Sequence, residues 1–162
     1  MSFSFIQIGC SQELAWSEIL QDVRKQHPNV VQLSTDSLAQ WLTTSDAPQP
    51  LLIDIREKKE YEVSHLAGAI HMDPDTRRFK ALKGVDKDAP IVVYCSVGYR
   101  SSKMAEKLEK AGFTNVSNLE GSIFTWANEG HTVMRGEEEV KAVHPYNRVW
   151  GMLLNKELRS FN

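Results

Sequence analysis

The chain has 162 residues, 41% of them hydrophobic and 25% charged, with a formal net charge of −2. This length favours one domain with extensions and is enough to bury a core without staples. The charge balance, with no long basic stripe, argues against nucleic acid or an anionic membrane as main partner, and two cysteines, Cys10 and Cys95, do not make a disulfide framework.

At the start, Phe3, Phe5, Ile6 and Ile8 precede Gly9-Cys10, but Ser4 and Gln7 interrupt them and no Lys or Arg comes before. The apolar stretch is too short for a signal segment, so neither export nor lipidation at Cys10 is expected. No stretch approaches the apolar length of a membrane span. A cytoplasmic, reducing location is the expectation, because a reactive thiol persists there.

Ser11 is placed to cap a helix running to about Gln26, with Trp16, Ile19, Leu20 and Val23 on one face. Val30 to Leu33 reads as a short strand, and Ser34 as the N-cap of a helix carrying Leu38, Trp41 and Leu42. Leu51 to Ile55 is a short apolar run after a Pro-containing loop, which predicts a buried strand. The charged segment Arg56 to Tyr61 predicts a short exposed helix, Ala69 to Met72 a strand, and Asp75 to Leu82 a weak helix. Ile91 to Tyr94 is the next strand. Met104, Ala105, Leu108 and Ala111 then line one helical face, with Glu106 and Lys110 at i, i+4 and Gly112 as the stop. Val116 to Leu119 reads as a strand, and Gly121 opens a helix that Gly130 ends. The acidic run Glu137-Glu138-Glu139 reads as a solvated face. After His144-Pro145 a final helix is expected, with Tyr146, Val149, Trp150, Leu153 and Leu154 on one side.

Strands alternating with helices imply an α/β fold with a central, mainly parallel sheet flanked by helices on both faces. In such sheets the functional site lies at the carboxyl ends of the strands. Cys95 and the Asp54/Arg56 pair both fall there. Cys95 is followed by Ser96-Val97-Gly98-Tyr99-Arg100-Ser101, a Gly-containing turn into a helix. Inward amides, the helix N-terminus and Arg100 all favour a thiolate there, lowering a thiol pKa that is ordinarily about 8.5. The local sequence points to a cysteine nucleophile that handles a small anion or an electrophilic sulfur. A free cysteine is ordinarily only a small buried hydrophobe. That reading, or a mobile terminal thiol, is kept for Cys10.

Four segments in order resemble the single-domain rhodanese family of sulfurtransferases. They are Leu52 to Glu57 with Glu60-Tyr61, then His65 to His71, then Val93 to Ser101, then Leu119 to Ile123 with Trp126 and Gly130. Together they cover roughly residues 30 to 135. Ser64, Ala67 and Ser122 depart from the Gly, Pro and Gly usual at those places in the family pattern. The resemblance implies a rhodanese-like fold over 30–135, with an N-terminal amphipathic helical extension, 1–29, and a C-terminal helical extension, 136–162.

The resemblance further implies a two-step sulfur transfer. Cys95 attacks the sulfane sulfur of a donor such as thiosulfate, and the Cys95 persulfide then passes it to a thiophilic acceptor, cyanide or a thiol. Ser96, Val97, Gly98, Tyr99, Arg100 and Ser101 would bind the substrate. Their amides would cradle the persulfide, Arg100 would hold anionic oxygens, and Ser101 would cap the helix or bond to sulfur. Asp54, Arg56 and His65 are supporting residues, the first two as a structural pair and His65 as a hydrogen-bonded one. Neither a metal nor an organic cofactor is required. The partners implied are a small anionic sulfur donor and a thiol or cyanide acceptor, with a protein sulfur donor or acceptor as a further option. Nucleic acid and membrane are not expected. The chain would be a monomer, or a homodimer through Trp150, Leu153 and Leu154.

Two other readings are weighed. One is a cysteine phosphatase or arsenate reductase on the same fold. Those relatives have five residues between Cys and Arg, whereas this chain has four, and they commonly carry His where this chain has Tyr94. The other is a persulfide carrier or protein-binding module, in which the flanking helices dock a partner rather than cover the domain's own apolar surface.

Overall fold

The computed structural model describes the backbone of residues 4–162 and the side chains of residues 12, 13 and 15–162. The Cys10 thiol therefore lies outside the described residues. Five short strands are β1 (Val31–Leu33), β2 (Leu51–Asp54), β3 (Ile70–His71), β4 (Ile91–Tyr94) and β5 (Val116–Leu119). They form one parallel sheet in the order β1-β5-β4-β2-β3. Helices α1 (Ser4–Gln26), α2 (Thr35–Thr43), α3 (Lys58–Val63), α4 (Tyr99–Lys110) and α5 (Ser122–Asn128) surround it. A separate antiparallel pair, β6 (Val133–Arg135) and β7 (Glu138–Val140), follows α5.

The apolar runs become buried strands because a parallel sheet covered on both faces leaves no solvated side. Alternation along β4 divides the core. Val92 and Tyr94 join Leu52, Leu119, Ile123 and Phe124 on one face, where α1, α2 and α5 pack. Ile91, Val93 and Cys95 join Ile53, Met104, Leu108 and Val116 on the other, under α4. Cys95 thus continues the alternation of its strand and turns toward the start of α4. Asp54 and Tyr94 pair in register, so the ends of β2 and β4 lie side by side.

Ser34 caps α2 as expected, its hydroxyl accepting from the Ser37 amide at 3.1 Å. Four other expectations are corrected. Helix α1 starts at Ser4 rather than at Ser11. Segment 56–61 is not simply exposed: α3 begins at Lys58, and Arg56 and Glu60 are fully buried. Asp75 to Leu82 makes only a 3₁₀ turn at Lys80–Leu82. There the Asp73 carboxylate accepts from the Asp75 amide at 2.7 Å and Thr76 Oγ1 donates to the Arg78 carbonyl, local bonds that compete with a helix.

The fourth correction concerns the C-terminal segment. It holds β7, the second strand of the hairpin, and then two 3₁₀ turns, Trp150–Leu153 and Lys156–Leu158, in place of the final helix expected after His144-Pro145. Tyr146 sits at φ 64°, outside helical space, and the Asn147 side chain accepts from the Trp150 amide to start the first turn. Leu153 and Leu154 are buried in the chain's own core, and Trp150 is partly buried. Among the described residues no helix is long and apolar enough to cross a membrane.

Candidate active site

The loop from Cys95 to Gly98 joins β4 to α4. Its carbonyls face α5: the Ile123 amide donates to the Cys95 carbonyl at 3.2 Å, and the Phe124 amide to the Ser96 carbonyl at 3.1 Å. The Cys95 amide in turn donates to Ser122 Oγ at 3.1 Å. With these groups tied outward, other loop amides are free to face the sulfur. The Gly98 amide donates to Cys95 Sγ at 3.2 Å, and the Ser101 hydroxyl at 3.3 Å. Gly98 makes this possible at φ 123°, a conformation that side chains strongly disfavour. Ser101 therefore bonds to sulfur from within the first turn of α4, and Gly98, not Ser101, occupies the cap position.

Burial alone would push the Cys95 thiol up. The Arg100 charge, the Ser101 hydroxyl, and the Ser101 and Gly98 amides outweigh it, and the thiol sits below its ordinary value. These surroundings favour the thiolate form of a residue that is only 1% exposed.

Arg100 is itself held. Its Nη1 donates to Glu60 Oε2 at 2.8 Å, and its Nη2 donates to Glu60 Oε1 and to Ser96 Oγ, each at 2.9 Å. Glu60 also accepts from Ser96 Oγ at 3.1 Å and from the Glu57 amide at 3.0 Å. Burial works against the Glu60 anion, but Arg100, then Arg56 and the Glu57 amide, keep its carboxyl below the usual range. Arg100 thus lines the cavity with three of its five N–H donors engaged by Glu60 and Ser96, while Nε and one Nη1 hydrogen have no partner among the described residues. Glu60 is the residue that sequence reasoning missed in this role. Its position four residues after Arg56 in a charged segment was the available signal.

Asp54, Arg56 and His65 lie behind the loop. Arg56 and Asp54 form a fully buried pair, with Nη2 to Oδ2 at 2.6 Å and Nε to Oδ1 at 3.0 Å; Nη2 also donates to the Ser64 carbonyl. His65 Nδ1 lies 3.1 Å from the Tyr61 carbonyl, and its ring stacks on Tyr61 at 4.0 Å. None of the three lines the cavity over Cys95.

That cavity holds about 430 Å³ and is lined by Cys95, Ser96, Val97, Tyr99 and Arg100 from the loop and α4, with further walls from α1 and the C-terminal segment. Tyr99 also donates to the Asp22 carboxylate at 2.7 Å; burial, then that carboxylate, push its phenol up to about 12. Ser122, a departure from the family pattern, stands directly behind Cys95. It holds the Cys95 amide, donates to the Leu119 carbonyl at 3.0 Å, and accepts φ 50° to do so. The grouping of metal-ligand types found among the described residues is Asp36, Glu129 and His131, at the surface and not in the Cys95 cavity.

Comparison with known proteins agrees with this architecture. The family model "Rhodanese-like domain" matches residues 34–129. The tRNA uridine(34) hydroxylase of Sodalis glossinidius is 40% identical over 88 residues, 51% of this chain and 25% of that protein. The enzyme of the same name from Escherichia coli strain K12 is 37% identical over 89 residues, 52% of this chain and 25% of that protein. The chain thus spans about a quarter of the length of the curated relatives it matches. A rhodanese-like domain protein from Staphylococcus aureus superposes with a TM-score of 0.55 at 28% identity, over 62% of this chain and 95% of that one. A rhodanese-related protein from Thermoplasma volcanium gives 0.56 at 26% identity, over 65% and 98%. With the family match covering more than half of the chain, this protein belongs to the rhodanese-like domain family.

Proposed function

We propose that the protein is a sulfurtransferase that carries a sulfane sulfur as a persulfide on Cys95. The observation that carries this reading is the Cys95 Sγ environment, with its lowered pKa and the Gly98 amide and Ser101 hydroxyl aimed at it. In the first step the thiolate attacks the outer sulfur of a donor, the donor's sulfur–sulfur or sulfonate–sulfur bond breaks, and the remainder leaves as an anion. In the second step an acceptor thiolate or cyanide attacks the outer sulfur of the Cys95 persulfide and regenerates the thiolate. The donors around Sγ suit the spread charge of a persulfide anion. The four residues between Cys95 and Arg100 make a loop that suits a sulfur atom better than a tetrahedral phosphate, and three of the five Arg100 N–H donors are engaged by Glu60 and Ser96.

Incubation with a sulfane-sulfur donor is expected to add one sulfur atom to the Cys95 peptide by mass spectrometry, and transfer to cyanide is expected to vanish in Cys95→Ser. Full transfer by that variant, or a persulfide found on Cys10 alone, would refute the reading. A second reading follows from the printed name of the relatives, tRNA uridine(34) hydroxylase. In it, the Cys95 loop serves modification of tRNA uridine 34. Restoration of that modification in cells lacking it, lost in Cys95→Ser, would favour it.

A further inference from the structure

Part of the cavity wall over Cys95 comes from outside the family span of 34–129. Asp22 and Gln26 reach it from α1, and Tyr146 and Trp150 from the segment after β7. These two segments are joined to each other: Gln12 Nε2 donates to the Leu153 carbonyl at 3.0 Å. Helix α1 is also seated against the nucleophile loop, with Val23 buried beside Gly98 and Asp22 bonded to Tyr99.

Asp22 brings a negative charge to the cavity. Its Oδ2 accepts from Tyr99 Oη and from Gln26 Nε2, each at 2.7 Å. Its Oδ1 has no hydrogen-bond partner, and its carboxylate no ion-pair partner, among the described residues. The positive charge in the lining, Arg100, is paired with Glu60, and Lys103 and Lys107 stand in the adjoining recess beyond Arg100 and Tyr146. With Cys95 as a thiolate, the charges of the lining residues, Asp22, Cys95 and Arg100, sum to a negative value. The remaining lining is largely apolar and aromatic: Val97, Tyr99 edge-on to Trp150 at 6.0 Å, and Tyr146 over Arg100 at 4.9 Å. Such a space suits an organic body, and aromatic faces with a carboxylate suit a cation. A free dianion gains nothing from the Asp22 carboxylate, which repels it.

We propose that Asp22 makes this site selective for a sulfur donor of the amine-bearing persulfide class, a small organic body carrying a cationic nitrogen, over anionic donors such as thiosulfate. This deepens the sulfur-transfer reading and rests on it. The loading step is Cys95–S⁻ + R–S–SH → Cys95–S–SH + R–S⁻, where R bears the ammonium. One sulfur–sulfur bond breaks and one forms, the electron pair leaves with R–S⁻, and no outside oxidant or reductant is needed.

The test measures initial rates of persulfide formation on the Cys95 peptide from four donors at low ionic strength. They are the persulfides of cysteamine, 2-mercaptoethanol and 3-mercaptopropionate, and thiosulfate. The expected order is cationic, neutral, anionic, and the ratio of cationic to anionic rates should fall by about tenfold in Asp22→Asn. Comparing that ratio between proteins cancels the donors' intrinsic reactivities. Tyr99→Phe, which keeps the carboxylate, should retain the ratio. In the wild-type protein, added salt should shrink it, a measurement that needs no variant. An anionic donor loading fastest, or a ratio insensitive to both Asp22→Asn and salt, would overturn the selectivity while leaving sulfur transfer standing. Failure of all four donors to load Cys95 would refute the sulfur-transfer reading itself.

Discussion

Arg100→Met is expected to unbalance the buried pair beside the nucleophile in a way that pH can read. Glu60 is fully buried and accepts four hydrogen bonds, two of them from Arg100. Removing one partner of a buried pair leaves an uncompensated charge, at a cost of about 3–5 kcal/mol. The lower end applies here, because the Arg100 side chain is 28% exposed and Glu60 keeps Ser96 and the Glu57 amide. In the wild type the folded Glu60 pKa is depressed, so its contribution is complete above the ordinary carboxylate range, about 4.3, and is lost as pH falls through the lower folded value. In the variant, burial, already the largest single influence on Glu60, is no longer outweighed by Arg100 and raises the Glu60 pKa. The folded state then binds the extra proton, and the variant recovers stability as pH falls from about 7 to about 5. Urea unfolding of both proteins at these two pH values measures the difference. A loss of about 3 kcal/mol near pH 7, shrinking near pH 5, is expected. The double variant with Glu60→Gln should recover most of the loss. A deficit below about 1 kcal/mol, or one equal at both pH values, would refute the argument. In the same variant the alkylation profile of Cys95 should move to higher pH, since Arg100 is the strongest of the influences that lower its thiol.

Two further outcomes are expected. Ser122→Gly restores the residue usual in the family pattern and relieves a left-handed serine worth about 1–2 kcal/mol. It also strips the buried Cys95 amide of its acceptor at a cost of about 1–3 kcal/mol. A small net destabilisation by denaturant, with a shifted pH profile for Cys95 alkylation, is expected; an unchanged profile would leave Ser122 no part in positioning the nucleophile. His144 is buried, and burial holds its pKa below the ordinary histidine value, while its Nδ1 accepts from the Tyr146 amide at 3.0 Å. Its neutral form therefore contributes stability that is full above the unfolded pKa, about 6.5, and is lost as pH falls through the window below it. The melting temperature should drop across that window, and less steeply in His144→Asn. Equal slopes would rule out His144 as the source.

The strands and the nucleophile loop were legible because their signals are local. Ile91 to Tyr94 is a continuous apolar run between a Pro-containing turn and a Gly-containing one, so a buried strand ending at Cys95 follows from neighbouring residues alone. Ser34 and Gly112 punctuate their helices for equally local reasons. The Arg100–Glu60 pair was not legible, because its partners are forty residues apart and Glu60 stands in a charged run whose default location is solvent. The C-terminal error has a different cause. Tyr146, Val149, Trp150, Leu153 and Leu154 carry helical spacing, but short 3₁₀ turns also bring residues three apart together, and this one buries Leu153 and Leu154 while leaving Val149 and Met152 exposed. Ser122 was visible as a departure from a pattern, yet only the fold shows that its hydroxyl meets the Cys95 amide. The meeting of Asp22, Tyr146 and Trp150 over one cavity is likewise a property of tertiary packing.

The way the cavity is walled separates two jobs along the chain. Cys95 and the groups that bond to its sulfur lie in the loop after β4 and the start of α4, whereas α1 and the segment after β7 help to wall the space above them. Under the proposed sulfur transfer, exchange of positions 22, 26, 146 and 150 would re-aim the protein toward a different sulfur donor while the residues bonded to Cys95 Sγ stay unchanged. The rhodanese-like core becomes a constant engine, and the flanks a replaceable front panel on which new specificities can be written.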